Sequence, residues 1–419
     1  MKTTDLLPPE LSEIENEADI LLEHAAQLER AAQALDLEPV IVQRLKHPER
    51  EITLNLPLLR QQTACTAFRV QHANAIGPCL GPLLLSPDSH LRGLRALAVH
   101  TSLQCALLRL PLSGSAGALV CDPEQLTETE LRQLIQDYVF GLRGLIGPTL
   151  DVIASPDFAA ACALRAHRND CGQSEPAAVV NKPAALGGLP DPPAASAVGL
   201  LALIDQMLHE HKRELPGSRI AIQGLGPVCR NLAARLYEAG ARMIAVADKS
   251  GGLWRETGIH IPELLAHVGR EAMLFGFQEA EAVRNSEVLE ADCDLLITAA
   301  APRQINLVNA ARIRAPLVIE ATHQAVTPQA DCVLHERGIE IAPELLGTAP
   351  RTLAWFAEWQ HGIRYATPEQ PDVERFIHKA MTEAFRRVRQ HAREQQLSLR
   401  RAASMLAVDA FATVLRLRS

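Results

Sequence analysis

Gly224-Leu-Gly226-Pro-Val-Cys229 follows directly on the short apolar run Arg219-Ile-Ala-Ile-Gln. It opens a helical pattern from Val228 to Ala239 that stops at Gly240, and a second apolar run, Arg242-Met-Ile-Ala-Val-Ala, ends in Asp248. Residues of these types in this order suit the holding of a dinucleotide. Gly224 permits a tight turn, Gly226 lets the backbone approach a pyrophosphate, and the helix start offers N–H groups and the positive end of its dipole. An acid closing the second strand accepts ribose hydroxyls. Cys229 takes the third glycine's place and is small enough to pass. Asp248 points to NAD, because a carboxylate repels a 2′-phosphate, while Lys249 leaves NADP open. A turn with no ligand is the plainer reading of any glycine pair; the ordered strand, turn, helix, strand and acid argue against it.

The elements around this unit alternate strand and helix, the pattern of a parallel sheet covered on both faces. Upstream, Glu10 to Leu35 has helical spacing, Glu51-Ile-Thr-Leu-Asn-Leu alternates like a half-buried strand, and Ala67-Phe-Arg-Val-Gln reads as another. Leu91 to Ala106 and Thr127 to Leu145 read as helices, with Leu112 to Ala118 a Ser/Gly/Ala loop between them. Gly172 to Ala195 is rich in Pro, Ala and Gly and reads as an interdomain connection. Roughly the last fifty residues are helical again. The fold class is therefore α/β: an N-terminal α/β domain, 1–190, plus a Rossmann-type doubly wound dinucleotide-binding domain, 191–369.

The 419 residues exceed one ordinary core, and 47% hydrophobic content can fill two. A net charge of −8 argues against a nucleic-acid partner. The basic stretch Arg386, Arg387, Arg389, Arg393, Arg400, Arg401 reads as a solvated helix face or a subunit contact. No apolar run approaches the roughly 20 residues of a membrane span. Nine cysteines without a C-x-x-C pair, including Cys65, Cys105 and Cys162 among apolar neighbours, point away from disulfides and zinc. No metal is expected, and the N-terminus carries no signal-peptide pattern, so the expected setting is cytoplasmic.

Over nearly its whole length the sequence resembles the glutamate dehydrogenase family (Glu/Leu/Phe/Val dehydrogenases). The resemblance rests on Ile220-Ala-Ile-Gln-Gly-Leu-Gly through Ala247-Asp-Lys-Ser-Gly-Gly-Leu, on His47-Pro-Glu-Arg-Glu-Ile, Phe68-Arg-Val-Gln-His and Ser86-Pro-Asp, and on Leu399-Arg-Arg-Ala-Ala-Ser-Met-Leu-Ala. It implies oxidative deamination of an amino acid with a nicotinamide coenzyme, an assembly and substrate domain in 1–190 that carries the oligomer contacts with helices 370–419 packing back on it, a cleft between it and the Rossmann domain, and usually a hexamer. The implied coenzyme contacts are Gly224, Gly226, Pro227, Val228, Asp248, Lys249, Ser196, Ala300 and His323, the last at an asparagine position. Ser196 could also simply begin a helix, and His323 could be an ordinary hydrogen-bonded histidine.

The implied chemical half departs from the family. Gly77-Pro-Cys-Leu80-Gly-Pro-Leu-Leu84 puts Leu80 at the first lysine and Leu84 at a nearby arginine. Thr101-Ser-Leu-Gln104 puts Gln104 at the second lysine, and Ser113-Gly-Ser-Ala116-Gly-Ala puts Ala116 at the catalytic one. Asp157 stands for the catalytic aspartate if one residue is inserted after Asp151; it could equally cap a loop. Trp355 falls at a serine that meets the distal carboxylate of glutamate, and Leu346-Gly-Thr348-Ala-Pro-Arg replaces an Asn-Ala-Gly-Gly stretch. Met1 to Pro176 contains only Lys2 and Lys46, and Lys182 reads as packing. Three readings stand. One is a regulatory subunit that joins a catalytic glutamate dehydrogenase-type paralogue in a hetero-oligomer, with an apolar amino-acid effector in a pocket of Leu80, Leu84, Ala116 and Trp355. Another is an oxidoreductase on CH–NH2 donors or alcohols with Asp157 or His323 as base. The third is a coenzyme-sensing homo-oligomer without turnover.

Overall fold

Alternation of apolar and polar residues makes Arg50–Leu58 a strand, β1, which pairs antiparallel with β2, Thr63–Gln71. The computed structural model describes residues 26–58, 63–74, 76–155 and 176–418. Asp157 and Cys162 lie outside these, as does the first part of the helix expected over 10–35; residues 26–34 are helical.

The first sheet has the order β1-β2-β4-β3-β5-β6, with β3 at Cys79–Leu85, β4 at Ser113–Leu119, β5 at Asp151–Ala154 and β6 at Val179–Val180. The expected Ser/Gly/Ala loop is thus a buried central strand. Its small residues answer crowding. A Cβ on Gly114 would stand 2.0 Å from the Ala98 carbonyl oxygen of helix α1, Leu91–Leu107. On the other face, one on Gly117 would stand 2.3 Å from Tyr138 Oη of α2, Glu128–Gly141. Helix α2 stops short of the expected Leu145, after a start closed by the Thr127–Glu130 capping box.

The Pro-rich stretch is also more ordered than its composition suggests. Val179–Val180 joins the sheet, and helix α3 begins at Pro192 and runs to Glu210. Prolines fit a first helical turn, whose N–H groups lack intrahelical partners. The cap is Asp191, accepting from Ala194 N, so Ser196 does not begin the helix.

The second sheet has the order β10-β9-β8-β7-β11-β12-β13, parallel from β8 through β13 with an antiparallel edge. Strand β7 is Arg219–Gln223, β8 Arg242–Asp248, β9 Gly251–Trp254, β10 Glu281–Val283, β11 Leu295–Thr298, β12 Leu317–Glu320 and β13 Glu340–Ala342. The chain leaves β7 toward β8 and returns to β11 on the other side, so the crevice of a doubly wound sheet opens at the end of β7.

The C-terminal helices α7, Gln370–Glu394, and α8, Leu399–Arg418, pack on α3 and α1 respectively. The arginines expected on a free or intersubunit face are largely paired within the chain. Arg387 donates to Leu107 O at 2.6 Å, Arg389 pairs with Glu340, Arg393 with Glu210, and Arg400 with buried Glu320 at 2.8 Å.

Two buried polar groups hold the N-terminal sheet. Arg69 donates from Nε to Asp151 Oδ2 (2.8 Å) and from Nη2 to Oδ1 (2.5 Å), with Ser115 Oγ and Pro82 O taking further N–H groups. Burial works against its charge, but the Asp151 carboxylate outweighs burial and holds the guanidinium protonated above its usual range. His72 lies buried on Phe411, with Nδ1 against Ser102 Oγ (2.7 Å) and Nε2 against the carbonyls of Arg44 and Leu45.

Burial pushes the His72 imidazole down to about 4 from 6.5. Between these values the unfolded chain binds the extra proton and the folded chain does not, so stability falls as pH drops through that window. The expected loss is about 3 kcal/mol, complete near pH 4. Urea unfolding from neutral pH downward should show this slope, and His72→Gln should remove it.

Candidate active-site cleft

The turn after β7 is shaped by backbone demands. Gly224 sits at φ +106, and a Cβ there would come within 2.6 Å of Ala299 C and Ala300 N, so the expected Ala300 contact is a backbone packed against this glycine. Around Gly226 the space a Cβ would fill is open, and Gly226 caps α4, Pro227–Glu238, without a side-chain hydrogen bond. Beneath the turn, Gln223 Nε2 donates to Asn285 Oδ1 (3.0 Å) and Gln304 Oε1 (2.6 Å). Asp248 is engaged by its own loop: Oδ1 accepts from Ser250 N and Oγ, Oδ2 from Leu274 N. Lys249 is exposed.

This turn opens onto a cleft of about 700 Å³. Pro227 and Val228 line it with Ser196, whose Oγ donates to Pro192 O at 2.9 Å. From the first sheet's side come Pro82, Leu84, and Leu97, His100, Thr101 and Gln104 of α1. From beyond β12 come His323 and, on helix α6 (Ala349–Ile363), Arg351, Thr352 and Trp355. Sequence-distant residues expected at one site, Ser196, Val228, His323, Leu84, Gln104 and Trp355, therefore meet.

Leu80 and Ala116 do not join them. Leu80 is wholly buried in the main core, and Ala116 lies with Val70, Leu94 and Ala98. The expected pocket of Leu80, Leu84, Ala116 and Trp355 is corrected to an apolar wall of Leu84, Leu97 and Trp355, because Leu80, on the same face of β3 as Leu84, is buried in the core and Ala116 is covered by Leu94 and Ala98 of α1. Gln104 is tied up as well. Its Nε2 donates to Thr348 Oγ1 (2.8 Å) and Leu345 O (3.3 Å), and its Oε1 accepts from Thr352. Lys182 is a buried strut, with Nζ 2.7 Å from both Val179 O and Glu358 Oε1.

Three residues went unnoticed in the sequence. Arg351 is the one lysine or arginine among the described residues lining the cleft, its guanidinium 5.4 Å over the Trp355 ring. His100 lies one turn before Gln104 on the same face of α1, a spacing that could have exposed it. Glu344 opens the short helix α5, Glu344–Gly347, and approaches both His100 and His323. Nearby, burial pushes the Glu320 carboxyl up to about 7, against the pull of Arg400.

Residues 187–418 match the Glutamate/Leucine/Phenylalanine/Valine dehydrogenase model, and residues 48–161 match the Glu/Leu/Phe/Val dehydrogenase dimerisation domain. The chain belongs to the Glu/Leu/Phe/Val dehydrogenase family. The catabolic NAD-specific glutamate dehydrogenase RocG of Bacillus subtilis (strain 168) is 30% identical to it over 383 residues, covering 89% of this chain and 90% of RocG. A hetero-hexameric glutamate dehydrogenase from Thermus thermophilus, solved with leucine bound, superposes with a TM-score of 0.89 at 28% identity, covering 98% of both chains. Glutamate dehydrogenase from Peptoniphilus asaccharolyticus gives a TM-score of 0.83 at 25% identity, covering 96% of this chain and 99% of that one. As in these family members, a parallel coenzyme-type sheet is joined to a mixed N-terminal one. Among the described residues no helix is long and apolar enough to cross a membrane.

Proposed function

We propose that this chain is a non-catalytic family member that assembles with an active paralogue in a hetero-oligomer and modulates it. The observation carrying this reading is the cleft's lining, which among the described residues includes no lysine and only Arg351 as a cation. Oxidative deamination needs a lysine of lowered pKa to activate water and steady developing charge. At the three matched positions stand Leu80, Gln104 and Ala116. Asp157, which lies outside the described residues, would be the matching carboxylate. The hetero-hexameric relative supports mixed assembly as a route open to this family. The unit of 1–190 with 370–419 would carry the subunit contacts.

An apolar amino acid fits the cleft as effector. Leu84, Leu97 and Trp355 would receive its side chain and Arg351 its carboxylate. NAD is the coenzyme we assign, with Gly224, Gly226, Pro227 and Val228 at the pyrophosphate, and Ser196, Ala300 and His323 toward the nicotinamide end. The open space over Gly226 suits that cradle. Asp248 would accept ribose hydroxyls on lone pairs left by its loop, beside Lys249. When bound, the coenzyme supplies a hydride acceptor; this chain's residues only hold and orient it. Gly224→Ala strains the turn, and calorimetry should show NAD affinity falling at least about tenfold in a folded variant.

The deciding experiment is purification of the tagged chain from its own host. A homologous dehydrogenase chain should come with it, and apolar amino acids should alter that complex's rate only when this chain is present. Isolation as a homo-oligomer that leaves the host dehydrogenase's kinetics unchanged would overturn the reading. A second reading, an oxidoreductase on CH–NH2 donors with His323 as base, draws support from that ring's place in the cleft beside Glu344.

A further inference from the structure

We propose that His100, His323 and Glu344 form a binding site for a divalent transition metal of the zinc class, with an open position facing the cleft. One ligand atom from each lies within 4.8 Å of the other two. His100 Nδ1 stands 3.7 Å from Glu344 Oε1, and His323 Nδ1 stands 3.6 Å from Oε2. The two rings meet edge to face, with centroids 4.5 Å apart and planes at 90°. These separations are too long for good hydrogen bonds. They are close to the spacing of about 3.3 Å between neighbouring donors in a tetrahedral site with bonds of about 2.0 Å. Contraction of these two distances by a few tenths of an ångström, with a larger approach of the remaining donors from within 4.8 Å, closes the shell.

The surroundings prepare the ligands. Thr348 donates its hydroxyl proton to Glu344 O at 2.7 Å, so toward His100 Nε2, 3.4 Å away, it acts as acceptor. That keeps the proton on Nε2 and turns the Nδ1 lone pair toward Glu344, the arrangement a metal-binding histidine takes when its other nitrogen is held by an acceptor. Glu344 Oε2 accepts from Gln324 N at 2.6 Å, which fixes the carboxylate. The three ligands come from α1, the segment after β12 and the start of α5, so the scaffold sets their spacing.

His100 and His323 line the large cleft, and all three residues line an adjoining hollow of about 340 Å³. Three protein ligands facing open space is the pattern of a site that keeps a fourth position for water or a small ligand. Two imidazoles and one carboxylate select zinc, cobalt or iron over magnesium and calcium, which prefer all-oxygen shells. The Arg351 guanidinium, 3.4 Å from His323 Nε2, opposes the ion, and its exposed side chain has the cleft to move into. Loading needs His323 as neutral imidazole, with its proton on the ring nitrogen that does not ligate.

The test uses the full chain, stripped with a chelator and titrated with Co2+, followed by visible absorption and by metal analysis after gel filtration. One Co2+ per chain with the intense bands of a four-coordinate ion is expected, displaced by Zn2+ and unaffected by a large excess of Mg2+. His323→Asn, at a half-exposed position, should keep the fold and weaken Co2+ binding at least about tenfold; Glu344→Gln should do the same. A chain that retains no stoichiometric Co2+, or a folded His323→Asn variant that binds Co2+ as the parent does, would overturn the site.

Discussion

Replacing Arg69 with methionine should cost about 3–5 kcal/mol of stability, because it leaves the Asp151 carboxylate buried without its counter-charge. Both side chains are wholly buried. Among the described residues Asp151 would retain Ser115 Oγ (2.7 Å) and Gln71 Nε2 (2.9 Å), neutral donors that cannot repay desolvation of a full charge. Denaturant unfolding of Arg69→Met measures the loss. Adding Asp151→Asn should recover part of it, since the penalty belongs to the stranded charge. A loss below about 1 kcal/mol in the single variant would mean that the strands relax to admit water.

The purified chain, offered glutamate, leucine, phenylalanine or valine with NAD or NADP, should turn over at least about 10⁴-fold more slowly than catalytic relatives. Loss of one general acid or base costs about 10² to 10⁴ in rate. Losses within one constellation do not multiply, so the rate loss stays near the upper end of a single one. Absorbance of the reduced coenzyme is the readout, and turnover within about tenfold of a catalytic relative would defeat the non-catalytic reading. Gln104 explains why no rescue is expected nearby: its amide bridges α1 to Leu345, Thr348 and Thr352.

The coenzyme-type half was legible because its signals are local. β7, the Gly224 turn, α4 and β8 lie within some thirty consecutive residues, and each shows its own periodicity. The N-terminal sheet was half legible. β1 and β2 alternate, whereas β4 is Ser-Gly-Ser-Ala-Gly-Ala-Leu, a composition that says loop. What decides it is the distance to Ala98 and Tyr138, and no window of sequence contains that distance. Proline misled at 192 and 193 in the same way, since a residue that ends helices also suits their first turn.

The histidine–glutamate cluster failed to appear for a simpler reason. Metal motifs are read from close spacing, and here the ligands sit in three segments that only the doubly wound sheet and the packing of α1 bring together. The cysteines, the residues in which such spacing is easiest to see, have no C-x-x-C pair. Arg351 was hidden likewise, as an unremarkable arginine until α6 faced the cleft.

The pairing of Arg389, Arg393 and Arg400 with Glu340, Glu210 and Glu320 sets an order on biosynthesis. Each carboxylate leaves the ribosome before the guanidinium that neutralises it. Glu210, Glu320 and Glu340 therefore wait for these partners until residues 389–400 have emerged, so their ion pairs form only once α7 and the start of α8 are made.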